Sequence, residues 1–175
     1  KIFCFSSPCN PSGTVYSKEE LQSFAEVLAR HPGIFVISDE IYEHINFTGK
    51  HESIAQFESL KDRVIVVNGC SKAYAMTGWR VGYIGAPLWI AKACDKMQGQ
   101  ITSGTCSIAQ RAALTAITAD QSETTRMTAE FRKRRDLVLS MLAEIPGIKS
   151  NHPEGAFYVF PDVSAFFGKS NGEQL

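Results

Sequence analysis

Two unbroken apolar runs, Ile34-Phe35-Val36-Ile37 and Val64-Ile65-Val66-Val67, constrain the fold of this chain more than any other feature. Each is short, rich in β-branched residues and free of polar alternation. Such a run suits a strand covered on both faces, as in a parallel sheet lined by helices. Lys1-Ile2-Phe3-Cys4-Phe5 reads as a further strand that already belongs to a core, and Val81-Gly82-Tyr83-Ile84-Gly85 as a fourth. No initiator methionine precedes Lys1, so the chain is expected to be an internal piece of a longer protein.

Helical patterns separate and follow these strands. Ser17 and Glu20 have the spacing of a capping box, and Leu21, Phe24, Ala25 and Leu28 then place one apolar face on a helix that His31-Pro32-Gly33 stops. Pro87 opens a second helix running to about Met97, and Ser107 a third reaching about Ala119. A long helix from about Ser122 carries Met127, Phe131, Val138, Met141 and Leu142 on its apolar side until Pro146-Gly147. Phe157–Phe160 reads as one more strand, entered through Gly155 as a close-approach point or a plain turn. Alternating strands and helices predict an α/β fold, a mostly parallel sheet flanked by helices. Residues 1–122 are expected to form part of a large domain. Residues 123–175 then supply a linking helix and the start of a smaller C-terminal domain.

Composition narrows the function by exclusion. Hydrophobic residues make up 44% and charged residues 21%, with 18 basic against 18 acidic side chains. Such balance leaves no electrostatic footprint for nucleic acid or an anionic membrane. Arg132-Lys133-Arg134-Arg135 is basic but falls within a helical pattern, where a solvated face is the commoner meaning. Five cysteines without a CxxC pair, and four histidines without ligand spacing, suggest neither a disulfide framework nor a metal site. A reducing, cytoplasmic setting is therefore expected. No stretch approaches the ~20 apolar residues of a membrane span.

Chemistry concentrates at the strand ends. Asn10, Asp39 and Lys72 each lie just beyond the carboxyl end of an apolar run, where open α/β sheets bind their ligands. Lys72 places an amine there, the group that holds an aldehyde cofactor as a Schiff base. Arg80, a short way downstream, suits a bidentate grip on a phosphate.

Three motifs stand in order: Asn10-Pro11-Ser12-Gly13, Asp39-Glu40-Ile41-Tyr42, and Ser71-Lys72 followed by Thr77-Gly78-Trp79-Arg80. With the closing Pro153-Glu154-Gly155-Ala156-Phe157-Tyr158-Val159-Phe160-Pro161-Asp162, they make essentially the whole chain resemble one family. It is the class I/II aminotransferases among the fold-type I pyridoxal-phosphate (PLP) enzymes, particularly the bacterial aspartate-aminotransferase-like branch.

That resemblance implies a cofactor, PLP, and a role for each residue. Lys72 would hold the cofactor and, once displaced by substrate, serve as a general base with its amine neutral. Asp39 would pair with the protonated pyridine nitrogen, while Tyr42 and Asn10 would hydrogen-bond the phenolic oxygen. A cis bond at Pro11 is possible. Arg80 would bind the phosphate, and Ser71 could add a hydroxyl to it. Many relatives place a serine three residues before the lysine; Gly69 stands there instead. The expected reaction is amino-group transfer between an amino acid and a 2-oxo acid, by a full-length homodimer. The alternatives are a PLP lyase or synthase of the same fold, or a PLP-binding sensor domain of a transcription regulator. The ring that stacks on the cofactor and the arginine that clamps the substrate carboxylate are not among these residues, so this piece alone is expected to be inactive.

Overall fold

The structure, a computed structural model, describes residues 1–168. Four strands and four helices follow in chain order: β1 (Ile2–Ser6), α1 (Lys18–Ala29), β2 (Phe35–Asp39), β3 (Val64–Gly69), β4 (Gly82–Gly85), α2 (Leu88–Ile101), α3 (Ser107–Thr118) and α4 (Ser122–Ala143). Short 3-10 turns occur at Ile54–Gln56, Glu58–Leu60, Thr77–Trp79 and Ser164–Phe166. The strands form one sheet in the order β1-β2-β3-β4. The first two pairings are parallel and the last, β3 with β4, is antiparallel. The expected α/β class is what forms.

Helix α1 starts where its capping box predicts. Ser17 Oγ accepts from Glu20 N at 3.2 Å, and Glu20 returns the favour to Ser17 N at 2.8 Å. Its apolar face (Leu21, Ala25, Leu28) packs with Val36, Ile54, Leu60 and Val64 into the main core, where each fully buried aliphatic side chain contributes about 1.5–3 kcal/mol. Phe3, Phe5, Tyr16 and Phe24 close this core with edge and stacked ring contacts.

Three expectations need correction. The apolar runs suggested strands covered on both faces, yet in β2 only Val36 and Ser38 are buried, while Phe35, Ile37 and Asp39 are half-buried. Among the described residues the α1 face of the sheet is the more fully closed, the other being covered in part, as where Trp89 meets Phe35. On α4 the apolar side is only partly covered: Phe131 packs against the cluster of Tyr42, Ile45 and Phe47, while Val138 and Met141 are 40% and 58% exposed. Finally, Phe157–Phe160 is not a strand. Ala156 sits in the left-handed region at φ 57°, which breaks the extended path, and the backbone N–H groups of Glu154, Gly155 and Ala156 just before the run bond to loops. Pairing is limited to isolated bridges, Asn46 with Gly155 and Lys149 with Asp162. Among the described residues, no helix is long and apolar enough to cross a membrane.

Candidate active site

Register decides where the loops leave the sheet. Ser6 lies opposite Asp39, and Asp39 opposite Val67, so β1, β2 and β3 end at one edge. The ladder continues one step past the strands, with Ser7 N donating to Asp39 O at 3.1 Å and Glu40 N to Val67 O at 2.9 Å. The loops carrying Asn10, Tyr42 and Lys72 therefore emerge side by side.

A distant segment is pinned across them. Glu154 N and Gly155 N both donate to Gly13 O, at 2.8 and 2.9 Å, while Ala156 N donates to Ile45 O at 2.8 Å. Phe47 N in turn donates to Glu154 O at 2.7 Å. This works because two glycines let backbones touch. A Cβ on Gly155 would stand 2.6 Å from Pro8 Cβ, and one on Gly13 only 2.4 Å from Pro153 Cβ. Of the two readings of Gly155, close backbone approach is the one that holds.

The pinned segment delivers Phe157 and Tyr158 to the lysine. Lys72 Nζ lies 5.6 Å from the Phe157 ring centroid and 5.8 Å from that of Tyr42, within the range of cation–π attraction. The lysine forms no ion pair with a carboxylate among the described residues. Tyr42 is buried and meets Tyr158 hydroxyl to hydroxyl at 2.5 Å. Burial, then that hydrogen bond, then the nearby charges of Tyr158 and Asp39 push the Tyr42 phenol well above its ordinary range. Asp39 is half-buried, and its Oδ1 accepts from Ile41 N at 3.1 Å.

The remaining expected residues line the same edge less tightly. Arg80 is exposed, in the left-handed region at φ 55°, and one guanidinium nitrogen donates to Thr77 O at 2.8 Å. Ser71 is half-buried, and its carbonyl accepts from Thr77 Oγ1 at 3.3 Å. Asn10 is exposed, and the peptide bonds before Pro8 and Pro11 are both cis. None of these three side chains hydrogen-bonds to Lys72, Asp39 or Tyr42 among the described residues. Gly69 has a packing reason of its own: a Cβ there would lie 2.8 Å from Val81 O.

Two groups escaped the sequence. Phe157 and Tyr158 sit in an apolar run whose composition resembles a strand; only the density of aromatic residues hinted otherwise. Glu40 is visible in the sequence only as a member of the Asp39-Glu40-Ile41-Tyr42 motif. It is buried and accepts from Ser38 Oγ (2.8 Å), Ser53 Oγ (2.6 Å) and His51 Nε2 (2.7 Å), so the protein itself satisfies it. Glu43 lies close enough that Glu40, Glu43 and His51 place their potential ligand atoms within 4.8 Å of one another. Residues 51 and 53 belong to an irregular loop whose path no periodicity predicts.

Across the chain, residues 1–170 match the family model for class I and II aminotransferases. The chain belongs to this family. Among its aminotransferase relatives, the aspartate/prephenate aminotransferase of Cereibacter sphaeroides is 47% identical over 173 residues, covering 98% of this chain and 43% of the relative. The bifunctional aspartate aminotransferase and glutamate/aspartate-prephenate aminotransferase of Petunia hybrida is 46% identical over 172 residues, 96% of this chain and 36% of that protein. The crystal structure of the aspartate aminotransferase from Rhizobium meliloti superposes with a TM-score of 0.92 at 43% identity, covering 95% of this chain and 42% of that one. The chain thus spans about two fifths of the length of the curated aminotransferases it matches.

Proposed function

We propose that these residues form the cofactor-binding heart of a PLP-dependent aminotransferase of the aspartate type, moving an amino group between an amino acid and a 2-oxo acid. One observation carries the reading. At a single sheet edge, the Lys72 amine rests beside both the Tyr42 and Phe157 rings with no carboxylate partner among the described residues, and the Asp39 charge bears on Tyr42. The aspartate/prephenate aminotransferases among its relatives support the substrate class: an aspartate-type donor, with prephenate as a second keto partner.

The donor set fits PLP on chemical grounds. An amine suits its aldehyde, a carboxylate its pyridine nitrogen, a guanidinium with donors to spare its phosphate, and a buried phenol its ring oxygen. When bound, PLP supplies an electrophilic carbon and a cationic ring that draws electrons from the substrate Cα. Lys72 would hold the aldehyde carbon and, as a neutral amine, take and return the Cα proton at Nζ. Asp39 would keep the ring nitrogen protonated by its charge. Tyr42 and Asn10 would orient the ring through its oxygen, and Arg80 with Ser71 would hold the phosphate. Residues 1–122 would belong to the large cofactor domain, with 123–175 linking to a smaller one. The full-length protein would work as a cytoplasmic homodimer on small molecules, without nucleic acid or membrane partners.

The test is chemical. Borohydride reduction of the full-length holoenzyme should fix the cofactor on Lys72, as read by peptide mass spectrometry. A pyridoxyl group on Lys61, Lys92 or any other lysine would overturn the assignment.

A further inference from the structure

We propose that Tyr158 is a positioning residue that sets the direction of the Tyr42 hydroxyl proton: it donates to Tyr42, so that Tyr42 donates onward to the phenolic oxygen of bound PLP. This rests on the PLP reading above and adds a residue to it. The two hydroxyl oxygens are 2.5 Å apart although 116 residues separate them in sequence. That distance is at the short end for O–H···O bonds. The pair holds two protons, and one is consumed between the oxygens. Whichever tyrosine accepts in the pair is the one free to donate elsewhere.

The bond that Tyr42 makes to the cofactor decides which one that is. Around the Tyr42 ring stand Asp39 from the end of β2, Lys72 from the loop after β3, and Phe157 and Tyr158 from the pinned segment. Tyr42 has a single hydroxyl proton, and in the PLP reading that proton goes to the cofactor's phenolic oxygen, so within the pair the Tyr42 oxygen is left to accept. Tyr158 therefore donates. A hydroxyl that accepts a bond becomes a stronger donor in turn, because aligned bonds polarise one another. The geometry is built to last: the Tyr158 ring lies edge-on to Tyr42 at 5.7 Å and against Phe157 at 4.8 Å, and Phe157 stacks on Phe131 at 5.1 Å.

The direction of the relay has a spectroscopic sign. A donor on the cofactor's phenolic oxygen would stabilise the phenolate that remains when the nitrogen by which Lys72 would hold the cofactor loses its proton. Strengthening that donor lowers the pH midpoint of the cofactor's visible absorption; weakening it raises the midpoint. The experiment titrates the visible band of the full-length holoenzyme and of its Tyr158→Phe, Tyr42→Phe and double variants. Phenylalanine keeps both ring contacts, and near-ultraviolet circular dichroism checks that the fold persists. Tyr158→Phe should raise the midpoint by about half a pH unit, the scale of one net hydrogen bond. In the Tyr42→Phe background the same change should do nothing, since no hydroxyl remains to be oriented. A midpoint that falls in Tyr158→Phe would mean that Tyr42 had been donating to Tyr158, and would overturn the relay. So would an unmoved midpoint, equal shifts in both backgrounds, or a Tyr158→Phe variant too disordered to keep the band. A wild-type protein with no PLP-dependent band would instead overturn the cofactor reading, and the relay with it.

Discussion

Adding one methyl group at Gly155 should damage stability and catalysis together. The new Cβ would stand 2.6 Å from Pro8 Cβ, 2.7 Å from Pro8 Cγ and 3.0 Å from Ile45 O. Carbon atoms in contact prefer about 3.5–4.0 Å, so roughly 1 Å of overlap must be relieved. Pro8 is a rigid ring, fully buried, and cannot swing away. The 153–158 segment must move instead, yet Gly155 N and Ala156 N tie it to Gly13 O and Ile45 O. Overpacking typically costs about 1–3 kcal/mol, and weakening one of these bonds about 1 more. We expect Gly155→Ala to lose about 2–4 kcal/mol of stability. Phe157 and Tyr158 would shift with the segment, away from Lys72 and Tyr42. A displacement near 1 Å at a site that positions reactants can cost about 100-fold in rate. The assay is urea unfolding of the full-length variant beside its rate of amino-group transfer from aspartate to 2-oxoglutarate. Gly33→Ala serves as control, because a Cβ there meets nothing within 4 Å, and it should stay within about 0.5 kcal/mol of wild type. A Gly155→Ala protein with unchanged urea midpoint and rate would refute the argument that close backbone approach assembles this site.

Asp39→Asn retains shape but removes the charge proposed to hold the ring nitrogen protonated; kcat should drop about 100- to 1,000-fold while PLP is still retained, and near-normal turnover would count against that role. The His44–Glu43 pair (3.3 Å) should add a small pH-dependent stability. Its hydrogen bond raises the His44 pKa from 6.5 and lowers that of Glu43 from 4.5. The histidine's contribution is complete below pH 6.5 and fades as pH rises through its higher folded value. That of the glutamate is complete above pH 4.5 and fades as pH falls through its lower one. The unfolding free energy at pH 5.5 should thus exceed that at pH 8.5 in wild type relative to Glu43→Gln, by a few tenths of a kcal/mol for a pair about a third exposed. A Glu43→Gln variant that follows the wild-type pH profile throughout would remove the pair from the account.

Local physics wrote much of this protein openly into its sequence. The Ser17–Glu20 box and the spacing of Leu21, Ala25 and Leu28 determine α1 because capping and helical periodicity act within a few residues. The apolar runs determine β2 and β3, and the chemistry-bearing residues that end them name the edge where Asp39 and Lys72 lie. Tertiary structure decided what lay beyond that reach. The run from Phe157 to Phe160 has strand composition but no strand, because Gly13 and Ile45, more than 100 residues away, claim its neighbouring backbone donors. The same pinning brings Phe157 and Tyr158 to Lys72 and Tyr42, and a third loop supplies His51 and Ser53 to Glu40. These contacts depend on which loops meet in space and on glycines at 13 and 155 leaving room for them, and sequence periodicity carries no record of either.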